Sequence, residues 1–225
     1  MPLYGVVLIL SDSVEKRLDK MRSGFTQHMQ YINIPHISLY PFSAEAEVKK
    51  TLESKFATIA AGTNPFTLEL TEVGFFEAPW NVAYVSVSKN QHFCQLHSAI
   101  YNSIQVSTEH LDWAKLYDPD TIVPHVTIGE GIPPDVLQVM KTELSGCAFN
   151  VKETISSFVI LGKDGNGEWR INETFPFRKL QKSLLISPVR TSGNVSFSPK
   201  GGNEWKIWRL DPVFQRDGCR SIIRI

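Results

Sequence analysis

Apolar and polar positions alternate along this chain in short blocks with two distinct periods. Leu3 to Leu10 is an apolar run that ends in Ser-Asp-Ser, the pattern of a buried strand followed by a helix cap. Val14, Leu18, Met21 and Phe25 recur at three- and four-residue steps, which predicts an amphipathic helix from Val14 to about Met29. Pro35 introduces a second strand, His36 to Tyr40. Ser43 is expected to cap a helix from Ala44 to about Ala61, with Val48, Leu52, Phe56 and Ile59 on one side. Phe66 to Phe76 opens with strict alternation and reads as a strand.

The order then starts again. Val82 to Val87 is a strand, and His92 to Ile104 a helix with Phe93, Leu96, Ile100 and Ile104 at helical spacing. A loop containing Asp118-Pro119-Asp120 leads to Pro124 and the strand His125 to Gly129. Pro133-Pro134 opens a helix to about Leu144. Ile155 to Gly162 is a strand, and Asp164 to Gly167 is a hairpin turn into Glu168 to Phe177. Both halves read strand, helix, Pro-His strand, helix, strand. The expected fold class is α+β and bilobal: two pseudo-symmetric lobes, about 3–76 and 82–177, each with an antiparallel sheet and helices, around a central groove. Residues 1–179 form the domain, and 180–225, rich in Ser, Gly, Pro and Lys, form a basic, partly flexible extension.

Charge sharpens that boundary. The chain carries 23 basic and 23 acidic side chains; residues 1–179 hold 15 and 20 of them, residues 180–225 hold 8 and 3. The body is acidic, and the basic tail could contact RNA or the body itself. Cys94, Cys147 and Cys219 are far apart and odd in number, which fits a reducing compartment better than a disulfide framework or a zinc site. The start has no signal-peptide pattern, and no apolar run is long enough to span a bilayer. A cytoplasmic monomer without a membrane partner is expected.

Two histidines share a context. Pro35-His36-Ile37-Ser38-Leu39 and Pro124-His125-Val126-Thr127-Ile128 both read Pro-His-apolar-hydroxyl-apolar. Side chains two apart on a strand point the same way, so His36 joins Ser38, and His125 joins Thr127. An imidazole and a hydroxyl on an apolar strand are costly to bury unless they open onto a cleft. Two such strands facing each other across the groove would flank a phosphorus atom. One imidazole could take a proton from a nucleophile while the other gives one to the leaving oxygen. Ser38 and Thr127 could bind the non-bridging oxygens. The other histidines lack this context, and no metal ligand cluster is expected. Phe76 and Trp80 at the end of the first half, and Tyr40 just past the first motif, are candidates for stacking on a base.

These paired motifs resemble the two-histidine (2H) phosphoesterase superfamily, in particular the group of 2′-5′ RNA ligases and RNA 2′,3′-cyclic phosphodiesterases. The signature of that family is two His-x-Thr/Ser motifs, matched by His36/Ser38 and His125/Thr127. The resemblance covers about residues 1–179. It implies a bilobal fold with a central groove, no metal or other cofactor, and hydrolysis or transfer at 2′,3′-cyclic, 2′-5′ or ADP-ribose cyclic phosphates. Val82 to Ser88 carries no basic residue, so a small nucleotide fits at least as well as a long RNA. Two other readings stay open: a nucleotide- or RNA-binding module without turnover, and a ligase or transferase using the same residues.

Overall fold

The computed structural model describes residues 2–105, 112–163 and 166–178. The extension 180–225, and the RNA contact expected of it, lie outside the described residues. The elements run β1 (Leu3–Ile9), α1 (Asp12–Arg22), β2 (His36–Ser43), α2 (Ala46–Gly62), β3 (Phe66–Phe76), β4 (Val82–Val87), α3 (Gln91–Gln105), β5 (His125–Gly129), α4 (Pro134–Leu144), β6 (Ala148–Ile155), β7 (Ser157–Lys163) and β8 (Trp169–Pro176). Two short 3-10 turns, Thr26–His28 and Asp112–Tyr117, lie in the loops.

All eight strands pair antiparallel in the order β6-β3-β4-β5-β2-β1-β7-β8. The sheet has two four-stranded halves that meet at β2 and β5, where Ile37 pairs with Val126. Each half carries one Pro-His strand at the seam. The halves repeat in detail: the Leu10 N–H donates to the Pro35 carbonyl, and the Val87 N–H donates to the Pro124 carbonyl. In space, however, they are not the consecutive stretches 3–76 and 82–177. β3 crosses to pair with β4, and β7 returns to pair with β1.

Alternation decides which face is core. Along β4 and β5, Ala83, Val85, Val87, Val126 and Ile128 are buried, and the residues between them are half-buried. One continuous apolar cluster joins Val6, Leu8, Ile37, Leu39, Val85, Val126 and Ile128 of the sheet to Val14 and Leu18 of α1, Leu52 and Phe56 of α2, Phe93 and Leu96 of α3, and Leu137 and Met140 of α4. The helices therefore cover one face. The other face keeps a small cluster around Val7, Val159 and Leu161, and is open at the seam.

Several boundaries differ from the sequence reading. α1 stops at Arg22 rather than near Met29, because Ser23 and Gly24 break it and Phe25 is buried from a separate turn. α2 begins at Ala46; Ser43 instead ends β2, its hydroxyl donating to the Pro2 carbonyl. β6 is an additional strand, and the run expected from Ile155 to Gly162 is split at Ser156.

Candidate active site

The two motif strands lie side by side rather than facing each other across the groove, and this brings the four polar side chains together. From the Ile37–Val126 pair, one step either way sets His36 across from Thr127 and Ser38 across from His125. All four line one cleft of about 650 Å³. Directly opposed side chains on neighbouring strands lie about 5 Å apart, and diagonal ones about 7–8 Å. The histidines occupy the diagonal, with room for a phosphate between them.

Each imidazole is held in the same way. His36 Nδ1 donates to the Ile34 carbonyl at 2.7 Å, and His125 Nδ1 donates to the Val123 carbonyl at 2.7 Å. A carbonyl can only accept, so Nδ1 carries the proton and Nε2 is left free to exchange one. The proline of each motif explains the contact: it fixes its own φ and keeps the preceding residue extended, so that residue's carbonyl meets the ring. Burial pushes the His36 pKa below the usual 6.5 against the opposing effect of the Ile34 bond, and the charge of His125 lowers it further. Burial likewise lowers His125, opposed by its bond to Val123. A second proton on the pair is therefore disfavoured.

Positions equivalent in the repeat flank the motifs differently. Val7 pairs with Ser38 on one side, and Tyr84 pairs with Thr127 on the other. Tyr84 stacks on Phe76 with centroids 4.2 Å apart, and both rings stand edge-on to His125, at 5.3 and 5.2 Å. Trp80, in the β3–β4 loop, is 53% exposed and lines the cleft beside Phe76. The structure thus brings Phe76 and Trp80 to the His125 side. Tyr40 borders the cleft but is 3% exposed, because a bulge at Leu39 shifts the register. Its ring is packed edge-on by Tyr101 and Tyr117, and its hydroxyl accepts from Gln105. It supports the site from behind rather than offering an open stacking face.

Sequence reasoning did not single out Tyr84, Tyr117, Arg22, Tyr31, Lys163 or Trp169. Tyr117 lines the cleft, and its hydroxyl is hydrogen-bonded with Ser38. Arg22 is 2% exposed at the end of α1; Nε donates to the Ile128 carbonyl at 2.8 Å and Nη2 to the Thr127 carbonyl at 3.3 Å. Its guanidinium stacks on Tyr31, a cleft residue, at 4.3 Å. It thus ties β5 to the wall formed by residues 31–35. Tyr84 was recoverable from alternation along β4, which sets it on the motif face; Arg22 carries no such signal. Among the described residues, no group of three or more His, Cys, Asp or Glu side chains is placed to hold a metal ion, and no helix is long and apolar enough to cross a membrane.

Comparison with known proteins places this arrangement. Residues 10–167 match the model of the 2′-5′ RNA ligase superfamily. A Bacillus cereus protein named as a phosphoesterase is 30% identical over 180 residues, covering 78% of this chain and 96% of its own. A Geobacillus kaustophilus protein of the same name is 27% identical over 173 residues, covering 76% and 94%. Escherichia coli LigT, solved in complex with 3′-AMP, shares the fold with a TM-score of 0.62 at 13% identity, over 79% of this chain and 99% of that one. Kluyveromyces marxianus Usb1 shares it with a TM-score of 0.51 at 13% identity, over 78% and 98%.

Proposed function

The chain belongs to the 2′-5′ RNA ligase superfamily of two-histidine phosphoesterases, and we propose that it is a metal-independent phosphodiesterase that hydrolyses a cyclic nucleotide phosphodiester. One observation supports this above the others: His36 and His125 are each bonded through Nδ1 to a carbonyl, and both line one cleft.

The proposed chemistry is an in-line displacement. One neutral Nε2 takes a proton from water as its oxygen bonds to phosphorus. The bond from phosphorus to one ribose oxygen breaks, and the protonated Nε2 opposite supplies the proton that oxygen needs. The product is a monoester with one free ribose hydroxyl, and the pair ends with its proton moved from one ring to the other. The hydroxyls of Ser38 and Thr127 donate to the non-bridging oxygens, where negative charge grows. Phe76 and Trp80 offer an aromatic wall to a base. Among the described residues that line the cleft, Lys163 is the sole lysine or arginine. A long polyanion would find little charge there, so a small nucleotide or an RNA end fits better than an RNA chain. That LigT has been solved with 3′-AMP and with ATP agrees with a nucleotide ligand.

The test is incubation with adenosine 2′,3′-cyclic phosphate, an RNA ending in a cyclic phosphate and ADP-ribose 1″,2″-cyclic phosphate, with product identification. His36→Ala and His125→Ala should each lower turnover by about 10²- to 10⁴-fold, and a chelator should leave the wild-type rate unchanged. Full activity in either variant would remove that histidine from the mechanism.

A further inference from the structure

The cleft does not end at the four motif side chains. Beyond His36 the sheet continues through β1 to β7 and β8, and its open face there carries Val7 and Leu161, packed with Ile34 and Trp169. All four of these residues line the cleft. At its outer end Lys163 and Trp169 are cross-strand partners in the β7–β8 pair, and the ammonium sits 5.4 Å from the centre of the indole ring. Trp169 is half-buried and Lys163 exposed, both on the wall of the cleft.

The register gives the scale. β7 lies two strands from β2, about 10 Å at the usual strand spacing. Val7 faces Ser38, and Tyr4 faces Gly162, so Lys163 stands about four residues, or 13 Å, along the strands from Ser38. The two Cα atoms are thus about 16 Å apart, and a lysine side chain about 6 Å long that extends toward the motif brings its ammonium to on the order of 10 Å from Ser38. That is about the length of a nucleoside. A cyclic mononucleotide bound by the motif side chains carries no second anion to meet it.

We propose that Trp169 and Lys163 form a second recognition site, which selects a nucleotide with a further phosphate on the same nucleoside as the reacting one. Trp169 carries the planar or apolar part of the ligand, and Lys163 pairs with the added phosphate. Lys163 is exposed, so the pair it makes with a phosphate is a surface one, screened by salt. The proposal rests on the phosphodiesterase reading for the position of the reacting phosphate at His36 and His125, but its test needs no turnover.

The test compares the binding of adenosine 3′-phosphate and adenosine 3′,5′-bisphosphate by titration calorimetry, in wild type, Lys163→Gln and Trp169→Leu. The wild type should bind the bisphosphate about tenfold tighter, and this preference should shrink as salt is raised from 0.05 to 0.5 M, taken as rough limits. In Lys163→Gln the two affinities should converge; in Trp169→Leu both should weaken. Equal affinities in the wild type, or a preference that survives Lys163→Gln, would overturn the proposal. Preferential binding without hydrolysis of any cyclic phosphate would leave this site standing and sink the proposed function instead.

Discussion

Gly74→Ala places a methyl group where an aromatic ring already lies. Gly74 on β3 pairs with Tyr84 on β4, and a Cβ at position 74 would stand 2.5 Å from Tyr84 Cζ and 2.7 Å from its hydroxyl oxygen. Carbon atoms settle at about 3.5–4.0 Å, so the ring must withdraw by about 1 Å. It cannot do so freely, because it stacks on Phe76 and abuts His125. Overpacking of this kind costs about 1–3 kcal/mol. The half-buried ring has some freedom to rise, which favours the lower part of that range. For a domain of this size each kcal/mol lowers Tm by roughly 2–4 °C, so a fall of about 2–8 °C is expected. Displacing the wall of His125 by about 1 Å should also reduce kcat/KM by up to about 10²-fold. The assay is a double-mutant cycle: thermal unfolding and kcat/KM for wild type, Gly74→Ala, Tyr84→Ala and the pair. With the ring removed the added methyl meets nothing, so Gly74→Ala should cost less than about 0.5 kcal/mol in the Tyr84→Ala background. An equal loss in both backgrounds, or none in either, would refute the steric reasoning.

Two further outcomes concern pH. The pKa values of both His36 and His125 are held below 6.5 by burial, and catalysis needs one proton on the pair. The bell-shaped profile of kcat/KM, which reports the free enzyme, should therefore be centred below pH 6.5 and decline as pH rises past it; an optimum above pH 7.5 would contradict the assignment. His97, buried on α3, has its pKa pushed down to about 4, chiefly by burial and against the opposing effect of backbone hydrogen bonds with Leu39 and Tyr117. The unfolded chain takes up this proton near 6.5, so stability is full above that pH and should fall by about 1.4 kcal/mol per unit between 6.5 and 4. Denaturant titrations across that range should show a flatter fall in His97→Leu than in wild type, and identical slopes would show that His97 does not titrate on unfolding.

Much of this could be read from the chain because the site lies on strands, where period-two alternation assigns faces. The pairing of His36 with Ser38 and of His125 with Thr127 follows from that rule alone. Their convergence from two motifs into one quartet does not. It depends on β2 and β5 being neighbours, and strand order is set by contacts distant in sequence. β6 was missed because its Asn150, Lys152 and Glu153 make an edge strand that lacks the apolar density of a core strand. The burial of Tyr40 is not legible in the sequence, because a one-residue bulge alters which way the chain faces beyond Leu39. Ser11 does precede α1 as expected, but its hydroxyl accepts from no helix backbone N–H; it donates to Glu153 of β6.

The passage of β3 into one half of the sheet, and of β7 and β8 into the other, has a mechanical consequence. Neither half is an independent fragment: cutting the chain between Phe76 and Val82 would leave each piece without a strand that its own sheet requires. The two imidazoles stand on opposite sides of the β2–β5 seam, where Ile37 pairs with Val126, so their spacing is set by how the two interlaced halves are held together there.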